Sequence, residues 1–67
     1  MSSYLYSDDL RDLDDIDELT EEASRTIRML LNESTNRDKY DRWDYISQCR
    51  DIIRVVAERV DALPDEE

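Results

Sequence analysis

Apolar residues recur at intervals of three and four along two long stretches, and no other feature limits the fold as strongly. Residues at these intervals lie on one side of an α-helix, so each stretch predicts an amphipathic helix. The chain contains no glycine and no strictly alternating apolar stretch, so a β-sheet would lack both its turns and its pattern. The sequence therefore predicts an all-α fold. The apolar positions are Leu10, Leu13, Ile16, Leu19, Ala23, Ile27, Leu30 and Leu31, then Trp43, Tyr45, Ile46, Cys49, Ile52, Ile53, Val56, Val60 and Leu63.

A polar segment and a proline set the limits of the two helices. Residues 32–37 (NESTNR) include no apolar residue and collect small polar types that favour caps and turns. Pro64 pushes the residue before it out of helical geometry, and Ser7 is a suitable N-cap for the first helix. We therefore predict one domain with an arm at 1–6, an acidic helix at 8–33, a turn at 34–37, a second helix at 38–63 and an acidic tail at 64–67.

The first helix has an alternative organisation. Its early apolar residues are spaced strictly by three, and Asp15 with Glu18 can form a second capping box. A break near residue 14 therefore remains open. In the arm, Tyr4 and its neighbours are expected to pack over the end of a helix, with contact to a partner as the alternative.

The small size of the chain points to association. With 67 residues, a lone monomer buries only about 60% of its unfolded surface. One cysteine and no histidine exclude an internal disulfide and a zinc site. We predict an antiparallel two-helix hairpin, completed by homodimerisation into a four-helix bundle. Its core and dimer contacts are predicted at Leu19, Ile27, Leu30, Ile46, Cys49, Ile53, Val56 and Val60.

Most of the net charge of −10 lies in one segment, Asp8 to Glu22. Nine carboxylates against Arg11 give this acidic segment a formal charge of −8, whereas residues 23–64 hold seven acids and eight bases. Such a charge repels nucleic acid and anionic lipid and attracts basic protein surfaces. The predicted partner-binding residues are Asp8, Asp9, Asp12, Asp14, Asp15, Asp17, Glu18, Glu21 and Glu22.

The acidic segment suggests a hypothesis about the partner. On a continuous helix its carboxylates would be spaced at about 2.3 Å, close to the charge spacing of about 1.7 Å along duplex DNA. A protein of this kind would bind a nucleic-acid-handling protein as a DNA mimic, in the manner of the small acidic inhibitors made by phages and mobile elements, which it resembles in character only. High-salt adaptation is the alternative cause of the acids, and assembly through the apolar stripes is the alternative function.

Trp43, Arg50 and Arg54 form a second candidate surface on the flank of helix two, because tryptophan and arginine are enriched at binding hot spots. The alternative, which we favour from the sequence, is that Trp43 closes the hairpin core while the arginines pair with acids.

Catalytic and metal chemistry find little support. There is no histidine, and Cys49 lies on an apolar stripe, where a buried thiol behaves as a small hydrophobe. Glu18 and Glu21, facing aspartates of helix two (Asp38, Asp41, Asp44), are loosely similar to the paired-carboxylate helices of all-α nucleoside triphosphate pyrophosphatases, which would imply magnesium-dependent nucleotide hydrolysis. The amphipathic phase points Glu18 and Glu21 away from the core, so we predict no enzyme, cofactor or metal. Without a membrane span or secretory signal, we expect a soluble, cytoplasmic protein.

Overall fold

A computed structural model describes residues 4–64 and contains three helices in that range. Helix α1 spans Ser7–Leu10, α2 spans Ile16–Ser34 and α3 spans Lys39–Asp61. No strand occurs among residues 4–64, so the all-α prediction is confirmed. Residues 1–3 of the predicted arm and residues 65–67 of the predicted tail lie outside the described range.

The two long helices pack against each other, and side chains of α3 contact residues at both ends of α2. At one end, Arg42 Nε of α3 donates to the carbonyl oxygen of Ser34, the last residue of α2, at 3.4 Å. At the other end, Arg59 Nη2 of α3 donates to the carbonyl oxygen of Asp14, just before α2, at 2.9 Å. The N-terminus of α2 therefore lies beside the C-terminal end of α3.

The continuous helix predicted at 8–33 is wrong, and the chain follows the alternative with a break. Over the nine residues from Leu10 to Leu19, a continuous helix would turn through about 900°, leaving these two side chains on opposite faces. Both are fully buried, because the chain leaves the helix after Leu10 and starts again at Ile16. Asp15 caps α2, since its Oδ1 accepts a hydrogen bond from the Asp17 amide at 3.1 Å. Ser7 is the first residue of α1 and not its N-cap, a position that Tyr6 occupies.

The segment before α2 packs across the two long helices. Thr26 Oγ1 of α2 donates to the Leu5 carbonyl oxygen at 2.7 Å, and the Arg25 guanidinium lies 5.6 Å from the centre of the Tyr4 ring. Leu10 joins the core with no exposed surface. The arm was expected to pack over the end of a helix; Tyr4 and Leu5 instead contact Arg25 and Thr26 in the middle of α2.

The core lies between α2 and α3 and beneath α1. Of the predicted core and dimer residues, Leu19, Leu30 and Cys49 are buried, while Ile27 and Val56 are partly buried against the core. Three others, all on α3, are exposed: Ile46, Ile53 and Val60. Helix α1 lies on the side of α3 that carries Gln48, Asp51 and Ile52, and the side that carries the three exposed residues stays open. The buried apolar residues are Leu10, Leu19, Ala23, Leu30, Cys49, Ile52 and Val55.

Candidate protein-binding surfaces

The carboxylates of the acidic segment are almost entirely exposed to solvent. Eight of the nine belong to exposed residues, and Glu22 is partly buried. Glu22 is also the one member with an ion-pair partner in the described part of the chain, Arg25 Nη1 at 3.0 Å. Between residues 4 and 64, one other ion pair occurs, where Arg37 contacts Glu33 at 3.4 Å. The negative charge of the segment is therefore almost wholly uncompensated by contacts within these residues.

Arg59 of α3 contacts the acidic segment without pairing with a carboxylate. Arg59 is partly buried and directs Nη2 to the backbone carbonyl oxygen of Asp14. This bond fixes the turn before α2 while the Asp14 carboxylate stays exposed. Asp17 and Glu18 lie in the first turn of α2, where the helix dipole favours anions. Local structure thus fixes the backbone that carries these acids, while their carboxylates remain unpaired.

The shape of the acidic surface differs from the prediction. The expected straight array along one helix is wrong, because Asp8 and Asp9 lie on α1, Asp12 to Asp15 in the link, and the remaining acids on the first two turns of α2. Ser7 of α1 lies beside Gln48, Asp51 and Ile52 in the middle of α3, whereas the link contacts Arg59 near the end of α3. The carboxylates consequently follow a bent path over two helical pieces and a link.

The second candidate surface lies on the solvent side of α3. Trp43 is 65% exposed, so the alternative in which it closes the core is wrong. Arg50 and Arg54 are also exposed and pair with no acid within residues 4–64. Sequence reasoning missed Tyr40, which is 86% exposed and precedes Trp43 by three residues, the interval that places two side chains on one helical face.

A third surface is an open apolar groove between α2 and α3, on the side away from α1. It has a volume of about 280 Å³. Small side chains and one isoleucine line it on α2: Thr20, Ala23, Ser24 and Ile27. On α3 its lining residues are Ile53, Val56 and Ala57. The sequence indicated Ile27, Ile53 and Val56 as contact residues but gave no role to Thr20, Ser24 or Ala57, although all three follow the same helical intervals.

Comparison with protein-family models, curated proteins and solved structures finds no match.

Three findings concern other chemistry. Among residues 4–64, no group of three or more acidic or cysteine side chains could hold a metal ion, and Glu18 and Glu21 are exposed. Burial raises the pKa of the Cys49 thiol, which disfavours the nucleophilic thiolate. No helix in the described range is long and apolar enough to cross a membrane.

Proposed function

We propose that this protein binds a basic surface of a nucleic-acid-handling protein through the acidic segment and so competes with nucleic acid for that surface. The supporting observation is the cluster of exposed carboxylates that have no ion-pair partner between residues 4 and 64. An uncompensated cluster keeps its full Coulomb attraction for a cationic partner, whereas paired acids would first have to lose their partners.

The physical basis of this binding is electrostatic. A group of exposed carboxylates within one short segment of a small protein produces a strong local field, which speeds encounter with a basic groove at low salt. The break between α1 and α2 distributes the acids over two helical pieces and a link and not along one line. We therefore propose that the carboxylates imitate the local charge density of DNA phosphates but not the straight path of a duplex.

The test uses two variants with the same number of neutralised acids. The first carries Asp14→Asn, Asp15→Asn, Glu18→Gln and Glu21→Gln; asparagine at position 15 keeps a side chain that can cap α2. The control variant carries four exposed neutralisations on α3: Asp41→Asn, Asp44→Asn, Asp51→Asn and Glu58→Gln. Both lose four negative charges, so a difference between them reports position and not total charge.

Each protein is immobilised and exposed to a lysate of the source cells, and bound proteins are eluted with rising salt or with duplex DNA. We expect a nucleic-acid-binding protein that DNA displaces, that the first variant fails to retain and that the control retains. Equal retention by both variants would refute a role for the acidic segment.

A second candidate function is that of an assembly module acting through apolar contacts, and the open groove favours it. In this proposal the paired helices α2 and α3 form a hairpin that dimerises into a four-helix bundle or docks on another helical protein. Ile53→Asp would place a charge on the groove and disrupt the contact, because burying an unpaired charge is costly. Under this function, the four neutralisations in the acidic segment leave association unchanged.

A further inference from the structure

Three of the exposed apolar residues of α3, Ile46, Ile53 and Val60, have a symmetric order around Ile53. Ile46 and Val60 lie seven residues before and after it; Trp43 lies ten before it, whereas Leu63, ten after it, lies beyond the end of α3 at Asp61. The exposed fractions of Ile46, Ile53 and Val60 are 36%, 54% and 48%. Seven residues are close to two helical turns, so these three side chains form a line along one face of α3.

Because the spacing is the same in both directions from Ile53, these residues can contact the equivalent residues of a second α3 that runs antiparallel to the first. In a two-fold dimer, if one residue contacts a second, the second contacts the first across the axis. Two copies of α3 packed antiparallel about Ile53 would place Ile53 against itself and Ile46 against Val60. Each exposed apolar residue of this line would thus contact an apolar residue of the second copy.

The charges on α2 favour the same direction of packing. The first half of this helix carries four acids and no base, namely Asp17, Glu18, Glu21 and Glu22. Its second half carries Arg25 and Arg28 before a single acid, Glu33. Antiparallel packing of two copies would bring the acidic half of each α2 towards the basic half of the other, whereas parallel packing would bring acid towards acid.

We propose that a second copy of this chain occupies the groove between α2 and α3, antiparallel to the first, with the two-fold axis beside Ile53. This inference rests on the assembly function proposed above, and it specifies the binding partner, the surface that the partner contacts and the relative direction of the helices. The small side chains of Thr20, Ser24 and Ala57 line the groove and allow close approach of a helix. The dimer leaves the solvent-facing acids of α1 and the link outside the contact.

Cysteine cross-linking tests the position of the axis. In a Cys49→Ala background, Ile53→Cys brings two thiols together across the axis, within the Cα separation of about 4.4–6.8 Å that a disulfide allows. The control is Arg54→Cys, an exposed neighbour that points about 100° away around the helix. Under mild oxidation we expect covalent dimer from Ile53→Cys to form at least tenfold faster than from Arg54→Cys. Equal rates would overturn the proposal.

A mixing experiment tests the direction. Ile46→Cys and Val60→Cys proteins, each in the same background, are oxidised separately and together. Antiparallel packing predicts a cross-link between the two variants in the mixture and little within either alone. Efficient cross-linking of each variant to itself would indicate parallel packing and overturn the proposal.

Sedimentation measures the association itself. We expect the unmodified chain to have twice the monomer mass at micromolar concentration and Ile53→Asp to have the monomer mass with unchanged helix content. A monomeric unmodified chain at every concentration would overturn this inference, and so would a different protein bound in the groove of a monomer. Neither result bears on the acidic segment, whose binding is measured by its own pair of variants.

Discussion

Leu10→Ala tests whether one side chain holds the N-terminal segment to the fold. Helix α1 has four residues, too few to be stable alone, and its one buried residue is Leu10, with no exposed surface. The three carbons that the substitution removes leave a cavity among residues of α2 and α3. We therefore expect α1 to depend on this contact.

The magnitude follows from burial. Replacing a buried leucine by alanine costs about 2–5 kcal/mol, and a protein of this length has a total stability of about 3–10 kcal/mol. We expect Leu10→Ala to lower the free energy of unfolding by about 3 kcal/mol. At about 4–8 °C per kcal/mol for a domain of this size, the midpoint of thermal unfolding should fall by about 12–24 °C.

Urea unfolding followed by far-ultraviolet circular dichroism measures the loss. The matched control is Leu31→Ala, which removes the same atoms from a residue that is 47% exposed and should cost about 1 kcal/mol or less. Both variants are compared with the unmodified chain at one protein concentration. A cost for Leu10→Ala below about 1 kcal/mol, or one equal to that of Leu31→Ala, would refute the assignment of Leu10 to the core.

Three further predictions concern single groups. Asp15→Ala removes the cap of α2 and should lower the free energy of unfolding by about 1 kcal/mol, whereas Asp15→Asn should lower it much less, as urea unfolding will measure. Thr26→Val keeps the shape of a fully buried side chain but leaves the Leu5 carbonyl without its donor, so amide exchange in residues 4–10 should accelerate more than in α3, and unchanged exchange would contradict the bond. Because burial raises the pKa of the Cys49 thiol, the folded chain retains a proton that the unfolded chain loses above the ordinary thiol pKa of about 8.5. The contribution of Cys49 to stability is thus complete below that pH and declines as the pH rises towards the folded pKa, so Cys49→Ala should show a shallower loss of stability in alkaline urea titrations.

The helical class of the fold and much of α3 follow from the sequence because a regular period and a proline are local signals. The prediction of 38–63 for the second helix differs from Lys39–Asp61 by one residue at its start and two at its end. The break before α2 is harder to predict. Strict spacing by three and a capping residue at Asp15 indicated it, but only the tertiary burial of Leu10 and Leu19 together excludes the continuous helix.

The surfaces were less predictable, because exposure depends on tertiary packing and not on local sequence signals. Periodicity identifies apolar side chains, but it does not tell which side of α3 another segment covers. Here α1 lies beside Ile52, while Ile53 and Val60 stay exposed although their spacing resembles that of core residues. Trp43 likewise remains exposed, because the contact between α2 and α3 lies on another side of the helix. Exposure of the carboxylates was easier to foresee, since charged groups remain in water unless paired.

The acidic segment supplies most of the net charge and also contributes residues to the core. Leu10 and Leu19 are buried, yet both lie between Asp8 and Glu22. A deletion of this segment would therefore remove the anions and expose apolar surface of α2 and α3 in one step, and aggregation of the product would be mistaken for loss of a binding site. Arg11 is exposed in the link between α1 and α2, so one cut there by a trypsin-like protease would separate Leu10 from the rest of the core. A single proteolytic event would thus remove two of the nine acids, Asp8 and Asp9, together with one buried core residue, Leu10.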